Sequence, residues 1–103
     1  MSPARVALLC PDLLFGSQVE GALRAAGHEV VRSPEGADAL VVDLTADEFD
    51  PMAVALDVPS VGFYPHVDVE TRRRALAAGY DVVVPRSKMA RETVAVVEGA
   101  LAG

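Results

Sequence analysis

Cysteine, aromatic residues and long apolar runs are scarce in this chain of 103 residues, and basic residues are outnumbered by acidic ones. A single cysteine cannot form an internal disulfide, so no oxidising compartment is implied. With two tyrosines, three phenylalanines and no tryptophan, a base-stacking platform is not expected. The net charge of −6 argues against nucleic-acid binding, because a phosphate backbone repels an acidic surface. No signal-peptide core and no apolar run of ~20 residues is present, so we expect a cytoplasmic protein without a membrane partner.

What the chain does contain is an alternation of apolar runs and helical patterns, within a length that suits a single domain over residues 1–103. Continuous apolar runs predict buried strands, and apolar residues spaced by three or four predict helices. The strands are predicted at 6–10, 28–32, 37–43, 58–64 and 81–84, and the helices at 13–26, 68–78 and 87–101. A short helix is allowed from Pro51 to Leu56, Gly27 and Gly79 are the expected helix ends, and Asp68 and Ser87 are expected N-caps. This order favours an α/β fold with a parallel sheet.

The connection between the second and third strands is too short for this pattern. Only Pro34, Glu35, Gly36 and a residue or two on either side join the two strands. A parallel crossover normally needs a dozen or more residues, usually with a helix. Either the second strand is very short and the crossover is a bare loop, or a helix usual in the fold is lost, and we expect the second.

Several stretches resemble the receiver domain of two-component response regulators, over nearly the whole length of the chain. The similar stretches are Arg5–Leu9 with Cys10–Phe15, Ala39–Leu44, Val58–Phe63 and Ala77–Asp81. The resemblance implies a doubly wound, flavodoxin/CheY-like five-stranded parallel sheet with strand order 2-1-3-4-5. The second helix of that fold is then missing or reduced here.

The resemblance also implies a site, and the sequence departs from it. Receivers transfer a phosphoryl group to an aspartate after the third strand, which Asp43 matches, with a magnesium ion held by acids after the first strand. The positions of those acids hold Cys10 and Pro11, and neither side chain suits a hard cation. Asp12 lies one position further on, and with Asp43 it supplies two carboxylates, fewer than a dedicated site uses. The alternative role of Asp43 is to cap a neighbouring loop.

Four further residues belong to the predicted pocket. Tyr64 replaces the small hydroxyl residue after the fourth strand, and Arg86 stands at the position of the family's lysine after the fifth. His66 is either a ligand or base beside Asp43 or an ordinary loop histidine. Arg86 and Ser87 either bind a small anion at the start of the last helix or act as a solvated arginine and an N-cap.

These features predict a non-catalytic pseudo-receiver rather than an enzyme, with no cofactor and no metal. Its partner is expected to be another protein or a second copy, bound through the face between the fourth strand and the last helix. On that helix the apolar positions, notably Val96 as well as Val97, are more numerous than one buried stripe requires. One alternative is a true phospho-acceptor that uses Asp43. A second alternative is a small-anion or ligand-binding domain that uses Arg86, Ser87 and His66.

Overall fold

Five parallel strands form one sheet in a computed structural model that describes residues 3–65 and 68–103. The elements are β1 (Arg5–Leu9), α1 (Leu13–Ala25), β2 (Glu29–Val31), β3 (Ala39–Asp43), a turn of 3-10 helix (Pro51–Ala53), β4 (Ser60–Tyr64), α2 (Val69–Ala78), β5 (Val82–Pro85), α3 (Arg86–Arg91) and α4 (Thr93–Ala102). The strand order is β2-β1-β3-β4-β5, and every neighbouring pair is parallel. The predicted fold class and strand order are therefore confirmed.

The two faces of the sheet carry separate apolar clusters. The first cluster joins the inner faces of α1, α3 and α4 to the sheet, and it includes Phe15, Val41, Phe63 and Val97. The second cluster lies under α2, the 3-10 turn and the loops near it. Strands β3 and β4 are buried along their whole length because both faces are covered, which is why they read as continuous apolar runs.

The ends of the first two long helices follow the predicted cap residues. The Asp12 carboxylate accepts the Phe15 amide at 3.1 Å at the start of α1, and Asp68 caps α2 in the same way. Gly27 and Gly79 have φ values of 93° and 112°, a region that favours glycine, and each follows the end of a helix. The predicted limits of α1 and α2 agree with the structure to within a residue.

The last helix differs from the prediction in two respects. The expected N-cap at Ser87 is wrong, because the helix begins at Arg86 directly after the extended Pro85 and has no side-chain cap. The helix also breaks at Glu92 (φ −125°, ψ 36°), so that α3 and α4 are separate. The Thr93 hydroxyl donates to the Met89 carbonyl at 2.6 Å across this break. Val96 is a core residue, 9% exposed, and does not supply the expected apolar surplus at the surface.

The connection from β2 to β3 contains no helix, as expected. Residues 32–38 form turns, with the Ala37 amide donating to the Pro34 carbonyl at 3.2 Å. The Asp38 side chain accepts the Arg5 amide at 2.8 Å, which fixes the chain where it returns to the sheet. Strand β2 is also short, so both features that the sequence offered as alternatives are present together.

Within the described ranges, no helix has the length and apolar character needed to cross a bilayer.

Candidate functional site at the carboxyl edge of the sheet

The predicted site residues follow the carboxyl ends of four parallel strands. Asp12 follows β1, Asp43 ends β3, Tyr64 ends β4 and Arg86 follows β5. Parallel strands end at the same edge, and ligand sites of open α/β sheets form outside this edge. The topology therefore brings these positions to one edge, although their side chains do not all turn to the same side.

Asp43 is a buried carboxylate that accepts hydrogen bonds from the loop directly after β3. It is 6% exposed, and its Oδ1 accepts the Thr45 amide at 3.0 Å and the Thr45 hydroxyl at 2.9 Å. A carboxylate with a threonine two residues later is a local turn motif, in which the side chain closes the loop that leaves the strand. These two hydrogen bonds are compatible with the loop-capping role that the sequence allowed for Asp43.

Arg86 and Asp12 form an ion pair across the edge, between the loops that follow β5 and β1. Nη2 of Arg86 donates to Oδ2 of Asp12, whose Oδ1 already accepts the Phe15 amide. The hydrogen bond from the Phe15 backbone, followed by the Arg86 guanidinium, lowers the pKa of Asp12 below its ordinary value. The aspartate is therefore ionised at neutral pH.

An aromatic pair supports the guanidinium of Arg86. Its Cζ lies 4.2 Å from the centroid of the Phe15 ring, a cation–π geometry. The Phe15 ring in turn lies 4.9 Å from that of Phe63, at a tilted angle of 39°. Arg86 is thus held by a carboxylate and by the face of the buried Phe15 ring, which belongs to the first apolar cluster.

Cys10 lies beside this arrangement as a packed thiol. Its Sγ contacts the Asp12 carbonyl at 3.6 Å, and a Cβ built on Gly16 would approach the Cys10 carbonyl at 3.6 Å. Burial raises the pKa of the Cys10 thiol, and the nearby Asp43 carboxylate raises it further. A protonated, buried thiol is a poor nucleophile and a poor ligand.

The other predicted residues do not join this group. Tyr64 packs in the second cluster, whereas the preceding Phe63 packs in the first, so the Tyr64 ring lies on the face under α2. Ser87 is exposed on the six-residue α3 and caps nothing. His66 lies outside the described residues.

The donor set does not fit the magnesium ion that the resemblance implies. Within residues 3–65 and 68–103, no three His, Cys, Asp or Glu side chains are grouped so as to hold a metal. Both oxygens of Asp12 have partners, one oxygen of Asp43 is held by Thr45, and Cys10 offers sulfur where a hard cation takes oxygen. No chemistry at this edge is therefore assigned to a metal.

Two residues of the site were missed from sequence. The spacing of Phe15 indicated only a core position, and nothing local shows that it carries a guanidinium from a residue 71 positions away. Thr45 did carry a signal, since an aspartate followed two positions later by a hydroxyl residue is typical of a side-chain-closed turn.

The chain matches no protein-family model, and no curated protein sequence matches it. Solved structures do match, at low identity. A CheY-like response regulator receiver domain protein from Methanospirillum hungatei is 15% identical with a TM-score of 0.81, over 98% of this chain and 95% of that one. The structure of FixJ-N is 18% identical with a TM-score of 0.81, over 99% and 96%. The non-phosphorylated HemR receiver domain from Leptospira biflexa is 17% identical with a TM-score of 0.78, over 99% and 96%. The chain therefore has the fold of response regulator receiver domains.

Proposed function

We propose that this chain is a non-catalytic, receiver-like signalling module that acts by binding protein rather than by accepting a phosphoryl group. The fold supports a signalling module. The observation that carries the finer proposal is the Asp12–Arg86 ion pair on Phe15, at an edge where Cys10 and Pro11 stand in the place of acids.

The electrostatics of the edge support this reading. An anionic aspartate can receive an anionic phosphoryl group only if positive charge neutralises the approach. Here the available cation, Arg86, is already neutralised by Asp12 and held on an aromatic ring, and the buried Asp43 is hydrogen-bonded to Thr45. With Arg86 paired to Asp12, this arrangement leaves the negative charge of Asp43 without a cation that would attract an incoming dianion.

The proposed interaction surface is the β5 edge of the sheet together with α2 and α4, with the buried β4 lying behind it. Strand β5 is at the edge of the sheet, and a groove of about 250 Å³ runs beside it, lined by Val82, Val84 and one side of α4. Lys88 and Glu92 lie in the same groove and give it charges of both signs. Either a partner protein or a second copy fits this proposal.

A titration with beryllium fluoride and Mg²⁺, followed by amide NMR, tests the absence of phospho-acceptor chemistry. We expect no saturable shift at Asp43, Leu44 and Thr45 in the natural chain, because the oxygen ligands for the cation are lacking. A saturable shift that Asp43→Asn abolishes would establish the phospho-acceptor alternative and overturn the proposal. The same spectra with inorganic phosphate alone test the anion-binding alternative, which predicts shifts at Arg86 and Ser87.

A gain-of-function variant is the matched control. Cys10→Asp with Pro11→Asp adds two carboxylates after β1, and Arg86→Lys removes the planar group that stacks on Phe15. If these positions are the reason for inactivity, the triple variant gains a Mg²⁺-dependent shift at Asp43. A folded triple variant that stays silent would show that the cause lies elsewhere.

Sedimentation and light scattering test the surface. A concentration-dependent dimer that Val82→Lys weakens, while the exposed Leu13→Lys leaves it unchanged, would identify the second copy as the partner. A monomer at all concentrations leaves another protein as the partner that the proposal requires.

A further inference from the structure

A buried histidine at the opposite edge of the sheet joins the start of β1 to the last helix. The His28 side chain is 1% exposed and lies at the turn between α1 and β2. Its Nδ1 faces the backbone amide of Ala4 at 3.1 Å, and its Nε2 lies 2.9 Å from Oε2 of Glu98 on α4. The backbone amide of His28 donates to the Leu23 carbonyl at 3.0 Å, which fixes the ring between the two partners.

These contacts determine the tautomer of the ring. A backbone amide can only donate, so Nδ1 must be the unprotonated, accepting nitrogen. The Glu98 carboxylate can only accept while it is ionised, so the proton is on Nε2. The neutral ring with its proton on Nε2 satisfies both partners at once.

The charged side chains on the neighbouring elements have partners of their own, and the Asp38 carboxylate before β3 accepts the Arg5 amide at 2.8 Å. Arg5, next to Ala4, pairs with Glu29 of β2 at 3.2 Å, and Arg24 in the last turn of α1 pairs with Glu20 at 2.8 Å. Glu98 of α4, which is 32% exposed, is the charged side chain that bonds to the ring. A change in the charge of His28 is therefore felt first by the Ala4 amide and the Glu98 carboxylate.

We propose that His28 is a proton-sensitive bridge, in which the neutral ring holds both β1 and α4 and the protonated ring holds α4 alone. A proton on Nδ1 would face the Ala4 amide, and two donors cannot share a hydrogen bond. The bond from Nε2 to Glu98 becomes charge-assisted at the same time and is kept. Protonation thus keeps the hydrogen bond to the last helix and breaks the one to the Ala4 amide, which directly precedes β1.

NMR of the full chain between pH 8 and pH 5 tests the bridge. At pH 8 we expect His28 nitrogen shifts of the tautomer that is protonated at Nε2. As the ring titrates, the Ala4 amide signal should move with it and its exchange protection should fall about tenfold or more, the effect of leaving a buried donor unpaired. The amides of Val97 and Glu98 should keep their protection.

Two variants separate this bridge from a general effect of acid. His28→Asn keeps an acceptor at the position of Nδ1 but cannot be protonated, so the response of Ala4 to pH should vanish. His66→Gln leaves His28 as the sole histidine, and the response should persist. An Ala4 signal that does not follow the titration of His28, an unaltered response in His28→Asn, or a ring that does not titrate in this range would each overturn the proposal.

Discussion

Gly62 in the centre of β4 is a position where one added methyl group has a predictable cost. A Cβ built on Gly62 would lie 2.8 Å from both Cδ atoms of Leu44 and 2.9 Å from its Cγ, where ordinary contact begins at 3.4 Å. Leu44 is 5% exposed in the second cluster and has little room to move. It also follows Asp43, so a shift of Leu44 displaces the loop at the candidate site.

The expected cost of Gly62→Ala is that of overpacking, about 1–3 kcal/mol. The lower conformational entropy of unfolded alanine offsets only part of it, about 0.5–1 kcal/mol. The net cost is then about 0.5–2 kcal/mol; since each kcal/mol lowers the melting temperature of a domain of this size by about 4–8 °C, we expect a fall of roughly 2–16 °C. Urea denaturation and thermal melting at pH 7 measure both quantities.

Two companion variants make the reasoning refutable. A Cβ on Gly21, on the exposed side of α1, would meet nothing within 4 Å, so Gly21→Ala should stabilise the chain by about 0.5–1 kcal/mol. Leu44→Ala removes the obstacle, so the double variant with Gly62→Ala should be more stable than the sum of the single effects predicts. A Gly62→Ala chain as stable as the natural one, or strict additivity with Leu44→Ala, would show that Leu44 does not limit this site.

Three further predictions concern single residues. Tyr80 donates to the Pro51 carbonyl at 2.7 Å, and burial raises its pKa to about 12. Tyr80→Phe should lower the free energy of unfolding by about 1 kcal/mol. In a Tyr64→Phe chain, where Tyr80 is the remaining tyrosine, absorbance at 295 nm should show it ionising near pH 12. The contribution of Tyr80 to stability should be lost as the pH rises above 10. Hydrogen bonds from Thr71 lower the pKa of Asp68, so the contribution of Asp68 to stability is present above pH 3.8 and lost below it. In Asp68→Asn the melting temperature should therefore fall less steeply below that pH. The same dependence of melting temperature on pH in both chains would contradict this. Gly79→Ala forces φ 112° on a residue with a side chain and should cost roughly 1–3 kcal/mol in urea denaturation, whereas a neutral effect would mean that the turn relaxes.

The fold was readable from sequence where a local signal and the tertiary environment agree. The run from Ala39 to Asp43 is apolar because both faces of β3 are covered, and Asp68 and Gly79 mark the two ends of α2 by their own chemistry. The prediction for Ser87 was wrong because a capping preference is a local property, whereas the extended Pro85 takes the N-cap position of α3 two residues earlier.

The candidate site was readable only in part, because it depends on contacts between distant segments. The position of Arg86 at the carboxyl edge was predicted, but its partners Asp12 and Phe15 come from the other end of the chain. The bridge at His28 was also unpredicted, since Glu98 lies 70 residues away on a helix whose rotation the sequence did not define. Composition and spacing indicate which residue types the chain contains, but contacts between residues distant in sequence are known only from the packed structure.

The helix-free connection between β2 and β3 has a consequence for engineering. Residues 32–38 pass from an edge strand to a central one with turns alone, and the contact between Asp38 and Arg5 fixes the chain where β3 begins. A foreign peptide inserted at the exposed Glu35 would leave β2 on one side and the Asp38–Arg5 contact on the other side unchanged. The same point would be the natural place to graft a helix onto the domain without changing the register of any strand.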